Sequence, residues 1–183
     1  MKTLVLVFHP DMSTSRANRS LAARAEALGD DVTVRYMYDL YPDQKVDVAA
    51  EQTALEATDR VVLQFPMYWY STPALLKQWL DDVLLYGWAY GSTGNALAGK
   101  ELLVAVSTGG AGDAYSREAS YGYTIAELLR PLQATANMVQ MTYLEPFTTT
   151  GTLTITNEAL AQQVEDYAAT LSSEDLPVLE PHG

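Results

Sequence analysis

Along this chain, short apolar runs alternate with segments whose apolar residues recur every three or four positions. Thr3–Phe8 reads as a strand, and beyond it Leu21, Ala22, Ala25 and Leu28 share one helical face until Gly29 offers a stop. Asp31–Met37 alternates Val32, Val34 and Tyr36 or Met37 with polar neighbours, as a half-exposed strand does. Ala50–Thr58 suits a short helix, and the apolar run Val61–Phe65 suits a central strand buried on both faces. Thr72 is placed to cap the next helix and Pro73 to take its first position, ahead of a buried face of Leu75, Leu76, Trp79, Leu80, Val83 and Leu84. Leu102–Ser107 then reads as a fourth strand, Ile125–Ala136 as a helix, Met138–Leu144 as a fifth strand and Asn157–Leu171 as the last helix. Pro146–Thr154 reads as a loop with a short extended piece. Residues beyond Ser172, with Pro177 and Pro181, read as a loosely held tail.

Strands alternating with helices predict right-handed crossovers and an α/β three-layer sandwich around a five-stranded parallel sheet of order 2-1-3-4-5. At 183 residues the chain has room for a substantial core, so one domain is expected over residues 1–172, with 173–183 as the tail.

Composition narrows the chemistry. With 11 Lys and Arg against 23 Asp and Glu, the net charge of -12 argues against a broad nucleic-acid surface or an anionic membrane as partner. Cysteine is absent, which removes disulfides, thiol nucleophiles and thiolate metal sites. His9 and His182 are far apart, so no multi-histidine metal site is expected, and demanding chemistry would need a cofactor. The opening MKTLVLVFHP has one Lys and an apolar run too short for a signal peptide or a membrane span; the expectation is a cytoplasmic protein.

In a doubly wound sheet, ligands bind where parallel strands end. The turn after the first strand, His9-Pro10-Asp11-Met12-Ser13-Thr14-Ser15-Arg16-Ala17-Asn18, has hydroxyls, cations and an amide suited to a phosphate monoester, although Asp11 opposes one unless it points away. No glycine precedes Gly29, so the dinucleotide fingerprint is missing there. The third strand runs into Pro66-Met67-Tyr68-Trp69-Tyr70, aromatic where a polar loop is expected: either a core corner or the wall of a flat apolar ligand. After the fourth strand, Ser107-Thr108-Gly109-Gly110-Ala111-Gly112 offers backbone donors that a ligand can approach closely. Gly94-Asn95-Ala96-Leu97-Ala98-Gly99-Lys100 imitates a nucleotide-triphosphate loop. It is followed by Glu101 instead of Ser or Thr and leads into a strand instead of a helix, which argues against ATP or GTP hydrolysis.

These landmarks, His9 with Ser15 to Asn18, the run Phe65 to Ala74, Gly87-Trp88-Ala89-Tyr90-Gly91, and Ser107 to Gly110 followed by Tyr115, resemble the flavodoxin-like NAD(P)H:quinone oxidoreductases, which include ancillary oxidoreductases of bacterial potassium efflux systems. The resemblance covers most of the chain. It implies that His9, Ser15, Arg16 and Asn18 hold the phosphate and ribityl end of a flavin. It implies that Pro66, Met67, Tyr68, Trp69 and Tyr70 line the isoalloxazine, and that Thr108, Gly109 and Gly110 bond its pyrimidine edge. Tyr115 would lie beside the ring and, with Tyr121, steady charge on the reduced flavin or orient the acceptor. Mammalian relatives carry a proton-relaying histidine where Tyr121 stands, and a phenol titrating near ~10 relays protons less readily at neutral pH.

By the same resemblance the expected reaction has two steps: NADPH or NADH reduces the flavin and leaves, then a quinone-like acceptor takes its place. FMN is the expected flavin, since little chain follows the last helix to enclose the adenine half of FAD, the alternative. A homodimer with sites at its interface is also implied, with Tyr86, Trp88 and Tyr90 either closing over the partner's flavin or forming an internal staple. Two other roles are an electron-carrying flavodoxin without a nicotinamide site, and a regulatory subunit of a potassium efflux transporter.

Overall fold

The computed structural model describes residues 1–180; Pro181 and His182, named above for the tail and the second histidine, lie outside the described residues. Strands β1 (Thr3–Val7), β2 (Val32–Tyr36), β3 (Arg60–Pro66) and β4 (Glu101–Ser107) pair in parallel, and β5 (Thr142–Tyr143) completes the expected order 2-1-3-4-5. Val5 stands beside Val34 and Val62, and Val62 beside Leu103, on one face, while the next row, Leu6, Leu63 and Val104, faces the other way, so the central strands carry apolar residues to both faces. Helices α1 (Arg16–Glu26), α2 (Met37–Leu40), α3 (Val48–Glu56), α4 (Ala74–Val83), α5 (Ile125–Leu128), α6 (Arg130–Met138) and α7 (Asn157–Ser172) supply the outer layers. On one face Val5, Val62 and Leu103 pack with Leu21 and Ala25 of α1 and with Tyr167 and Leu171 of α7. On the other, Leu6, Leu63 and Val104 meet Leu55, Leu75, Trp79, Leu132 and Ala136. No helix among the described residues is long and apolar enough to cross a membrane.

The fifth lane of the sheet differs from expectation. Helix α6 runs on to Met138 because Leu132, Gln133 and Ala136 carry its buried face, and the chain reverses at Gln140 with φ 63°, leaving only Thr142–Tyr143 as strand. A further strand, β6 (Phe147–Thr149), then joins the same β4: β5 pairs with Glu101 and Leu102, β6 with Ala105 to Ser107. Pro146, which has no N–H to give a ladder, lies in the interruption.

The tail, expected to be loose, is bonded to that edge as far as it is described. Val178 bridges Leu144 in antiparallel fashion, Glu145 N–H donates to the Pro177 carbonyl at 2.8 Å, and Leu179 N–H donates to the Tyr143 carbonyl at 3.0 Å. Gln133 Nε2 adds a bond to the Leu179 carbonyl at 3.0 Å, so the segment covers an otherwise open strand edge.

Helix starts also move. Helix α3 begins earlier than expected because Asp47 caps it, accepting from Ala50 N–H. Helix α4 begins at Ala74, and Pro73, still extended at ψ 152°, takes the cap position with no side-chain bond. The helix expected over Ile125–Ala136 breaks at Leu129, and Pro131 takes the second position of α6, in the first turn where its missing N–H is not needed. Gly94–Lys100 forms turns that feed β4, and a Cβ on Gly94 would lie 2.2 Å from the Tyr90 carbonyl oxygen, so this glycine serves packing.

Candidate functional site

The carboxyl ends of β1, β3 and β4 meet, as parallel pairing requires. In the loop after β1, the Asp11 carboxylate accepts from Ser13 N–H at 2.9 Å and from the Ser13 hydroxyl at 2.6 Å, and these bonds hold its pKa below the ordinary carboxylate value. The Thr14 hydroxyl donates to the Asp11 carbonyl at 2.9 Å. Two of the three hydroxyls expected to meet a phosphate are therefore occupied within the turn. The turn in exchange restrains Asp11.

Ser15 caps α1, and its Oγ accepts from both Asn18 N–H and Asn18 Nδ2, each at 3.2 Å. Asn18 Nδ2 also donates to Ser107 Oγ at 2.9 Å, reaching from α1 to the end of β4. The partners of both serine oxygens are donors, which leaves each O–H to donate elsewhere. His9 is oriented similarly: Asp11 N–H donates to its Nδ1 at 3.1 Å. Partial burial lowers the imidazole pKa against the opposing pull of Asp11, so the neutral ring carries its proton on Nε2.

His9, Ser15, Asn18 and Ser107 line a cavity of about 370 Å³ together with Pro66, Met67 and Tyr68. That volume falls within the usual small-molecule range of roughly 300–1,000 Å³. A cavity provided with O–H and N–H donors suits an anion. Asn18 Oδ1 is buried and has no hydrogen-bond partner among the described residues. Arg16 lines the same cavity, but its guanidinium donates to Asn157 Oδ1 at 3.1 Å and to the Ile155 carbonyl, tying α1 to the start of α7.

After β3, Tyr68 and Ser71 exchange two backbone bonds of 3.0 Å, closing a tight turn with Trp69 at φ 48° and Tyr70 at φ 62°. Positive φ at both central positions is the pattern of a type I′ turn, which favours Asn and Gly; bulky aromatic residues there are strained. Trp69 is 93% exposed. Phe65 belongs to the core, whereas Met67, Trp69 and Tyr70 face a second recess shared with Tyr115 and Tyr121. Met67 lines both spaces.

The loop after β4 forms the remaining side. The Thr108 hydroxyl donates to the Gly110 carbonyl at 2.9 Å, shaping the turn, while among the described residues nothing accepts from the N–H groups of Gly109 and Gly110. A Cβ on Gly110 would come within 2.8 Å of the Tyr121 hydroxyl, so a side chain there would collide with the ring. Tyr121 packs on Tyr115 with ring centroids 4.8 Å apart and meets Tyr70 edge-on at 5.8 Å. Burial, with help from the neighbouring phenols and against a bond to Thr108, pushes the Tyr115 pKa above its ordinary value.

A family model described as flavodoxin-like fold matches residues 1–171. The chain belongs to that family. Among relatives in the flavodoxin-like fold family, it is 48% identical over 170 residues to an uncharacterized NAD(P)H oxidoreductase, YrkL, of Bacillus subtilis (strain 168), covering 91% of this chain and 97% of that one. It is 44% identical over 165 residues to the glutathione-regulated potassium-efflux system ancillary protein KefF of Enterobacter sp. (strain 638), covering 90% and 92%. Among solved structures, general stress protein 14 of Treponema denticola in complex with FMN superposes with TM-score 0.88 at 42% identity, covering 93% of this chain and 98% of that one. An NADPH-quinone reductase from P. pentosaceus superposes with TM-score 0.86 at 36% identity, covering 96% and 99%.

Within this flavodoxin-like architecture His9, Ser15, Arg16, Asn18, Pro66, Met67, Tyr68 and Gly109 line the main cavity, and Trp69, Tyr70, Tyr115 and Tyr121 line the recess beside it. Thr108 is buried and acts on the loop, and Gly110 stands against Tyr121. Sequence reasoning missed Thr152 and Leu153, which the loop after β6 brings to the cavity, with Leu153 85% exposed above Gly109. The only signal was the run Thr148 to Thr154, a polar stretch with a single apolar residue. Trp88 and Tyr90 pack on the core and Trp88 Nε1 donates to Glu56 at 2.7 Å, as an internal staple does; Tyr86 alone of the three is largely exposed.

Proposed function

We propose that the chain is an FMN-dependent NAD(P)H oxidoreductase that passes two electrons from NADPH or NADH to a quinone or similar acceptor. The observation that carries this reading is a cavity lined by polar donors and Gly109 backbone, beside an aromatic recess that shares Met67 with it. The redox chemistry is that of the bound flavin, with hydride transfer from nicotinamide and delivery to the acceptor. Ser15, Ser107 and the Nε2–H of His9 hold the phosphate through donated bonds, and Arg16 stands at the rim. Pro66, Met67, Tyr68, Trp69 and Tyr70 line the ring, and the N–H groups of Gly109 and Gly110 meet its polar edge. Tyr115 and Tyr121 border the space left for nicotinamide or acceptor and keep water from it. With a raised pKa, Tyr115 remains a neutral hydrogen-bond donor at pH 7.

The reading includes a cytoplasmic homodimer, for which exposed Leu85 and Tyr86 provide apolar surface. Similarity to KefF supports a regulatory association with a potassium efflux transporter, tested by copurification. The decisive experiment is to purify the yellow protein, identify the flavin as FMN rather than FAD, and add NADPH or NADH without oxygen. Rapid bleaching is expected. A colourless protein that neither flavin reconstitutes refutes the reading, and bound FMN that neither nicotinamide reduces leaves an electron-carrying flavodoxin in its place.

A further inference from the structure

Gln64 interrupts the apolar run of β3 and is fully buried in the central strand. A buried amide in such a place costs stability unless all its groups are bonded, and an apolar residue would fill the position without that demand. Its bonds lead out of the sheet in two directions. Gln64 Oε1 accepts from the Tyr167 hydroxyl of α7 at 3.2 Å, and Gln64 Nε2 donates to the Asn18 carbonyl of α1 at 2.9 Å. Asn18 in turn supplies the donors to Ser15 and Ser107. The chain of bonds therefore begins at a fully buried phenol, crosses the middle strand, and ends at the two hydroxyls that open on the cavity.

We propose that Gln64 and Tyr167, neither of which lines the cavity, are positioning residues for its phosphate end. They hold the first turn of α1 so that the Asn18 amide faces Ser15 and Ser107 with its donors, and both serines then present O–H groups outward. Without the tether the Asn18 side chain can turn its oxygen toward the serines. Each hydroxyl would then donate inward and offer a lone pair to the ligand, the wrong polarity for an anion. The inference rests on the FMN reading, and it concerns only the phosphate.

The test compares two flavins that differ in that group alone. Apoprotein prepared from the purified holoprotein is titrated with FMN and with riboflavin, as wild type, Tyr167→Phe and Gln64→Met, with thermal unfolding recorded for each. Expected is a loss in FMN affinity of about tenfold, the worth of roughly one hydrogen bond, with riboflavin affinity unchanged. A loss shared equally by the two flavins, or lowered thermal stability with both affinities intact, overturns the inference and leaves the network a packing device. Failure of both variants to fold has the same meaning. Wild-type protein that binds riboflavin and FMN alike removes the phosphate site and this inference but not the flavin, whereas wild type that binds neither overturns the proposed function as well.

Discussion

The turn at Trp69 and Tyr70 makes a quantitative prediction in which apoprotein stability and ligand binding move in opposite directions. Left-handed backbone costs a residue with a side chain about 1–2 kcal/mol, and glycine escapes that cost while losing about 0.5–1 kcal/mol to its freer unfolded state. Trp69 lies at φ 48° and is 93% exposed, so Trp69→Gly forfeits little burial. The apoprotein should gain about 0.5–1 kcal/mol, a rise of roughly 1–4 °C in Tm for a chain of this size. Tyr70→Gly provides the internal control. Tyr70 has the same backbone strain at φ 62° but meets Tyr121 edge-on at 5.8 Å. Loss of about 0.5–1.5 kcal/mol of ring contact should cancel its gain. Thermal unfolding of flavin-free protein measures both variants, and FMN titration with nicotinamide-driven turnover measures the other side. Trp69→Gly should turn over acceptor more slowly, since the exposed ring is then absent from the recess. A lower Tm for Trp69→Gly would refute the assignment of strain, and unchanged turnover would refute the assignment of the ring to the site.

Ser15→Ala removes the cap of α1 and the acceptor for Asn18; it should cost about 1 kcal/mol in a denaturant titration and weaken FMN more than riboflavin. Glu101 pairs at 2.6 Å with Arg60, which is fully buried. Glu101→Ala should therefore cost about 3 kcal/mol, toward the low end for an orphaned buried charge because Glu101 itself is partly exposed, and Arg60→Met in that background should restore part of the loss. Glu127 closes a capping box with Thr124 and pairs with Arg117, and bonds from the Thr124 backbone, then Arg117, hold its pKa down at about 2, below the ordinary 4.5. A depressed carboxylate stabilises the fold above its unfolded pKa and loses that contribution as protons return. Tm should thus fall between about pH 4.5 and pH 2 in wild type, and less steeply in Glu127→Gln.

Strand order and the position of the site were legible because burial on both faces leaves a plain mark, the runs Leu4 to Phe8, Val61 to Phe65 and Leu102 to Val106, and parallel strands then bring their following loops together. The fifth lane was legible only in part: its place in the order and a short extended piece within Pro146–Thr154 were expected, but not that both pieces pair with β4. Its two halves are each too short to make a pattern, and they form one lane only because β4 provides a template for both. Roles within the site were unclear for a different reason: residue type names a capacity to bond, while the neighbours decide which atom remains free. Ser13, Thr14 and Ser15 are alike in sequence, yet two satisfy the turn and the third satisfies the helix with its lone pairs and keeps its hydrogen. Arg16 has the right charge and is directed by Ile155 and Asn157 toward α7. Gln64 looks like a flaw in an apolar strand until Tyr167 and Asn18 are seen at its two ends. At Tyr68 to Tyr70 residue type alone left a core corner and a ligand wall both open, because it does not show the positive φ that leaves Trp69 exposed. The proposed phosphate end was less legible still, because what matters there is the direction of hydrogen bonds set by residues from α1, β3, β4 and α7 together.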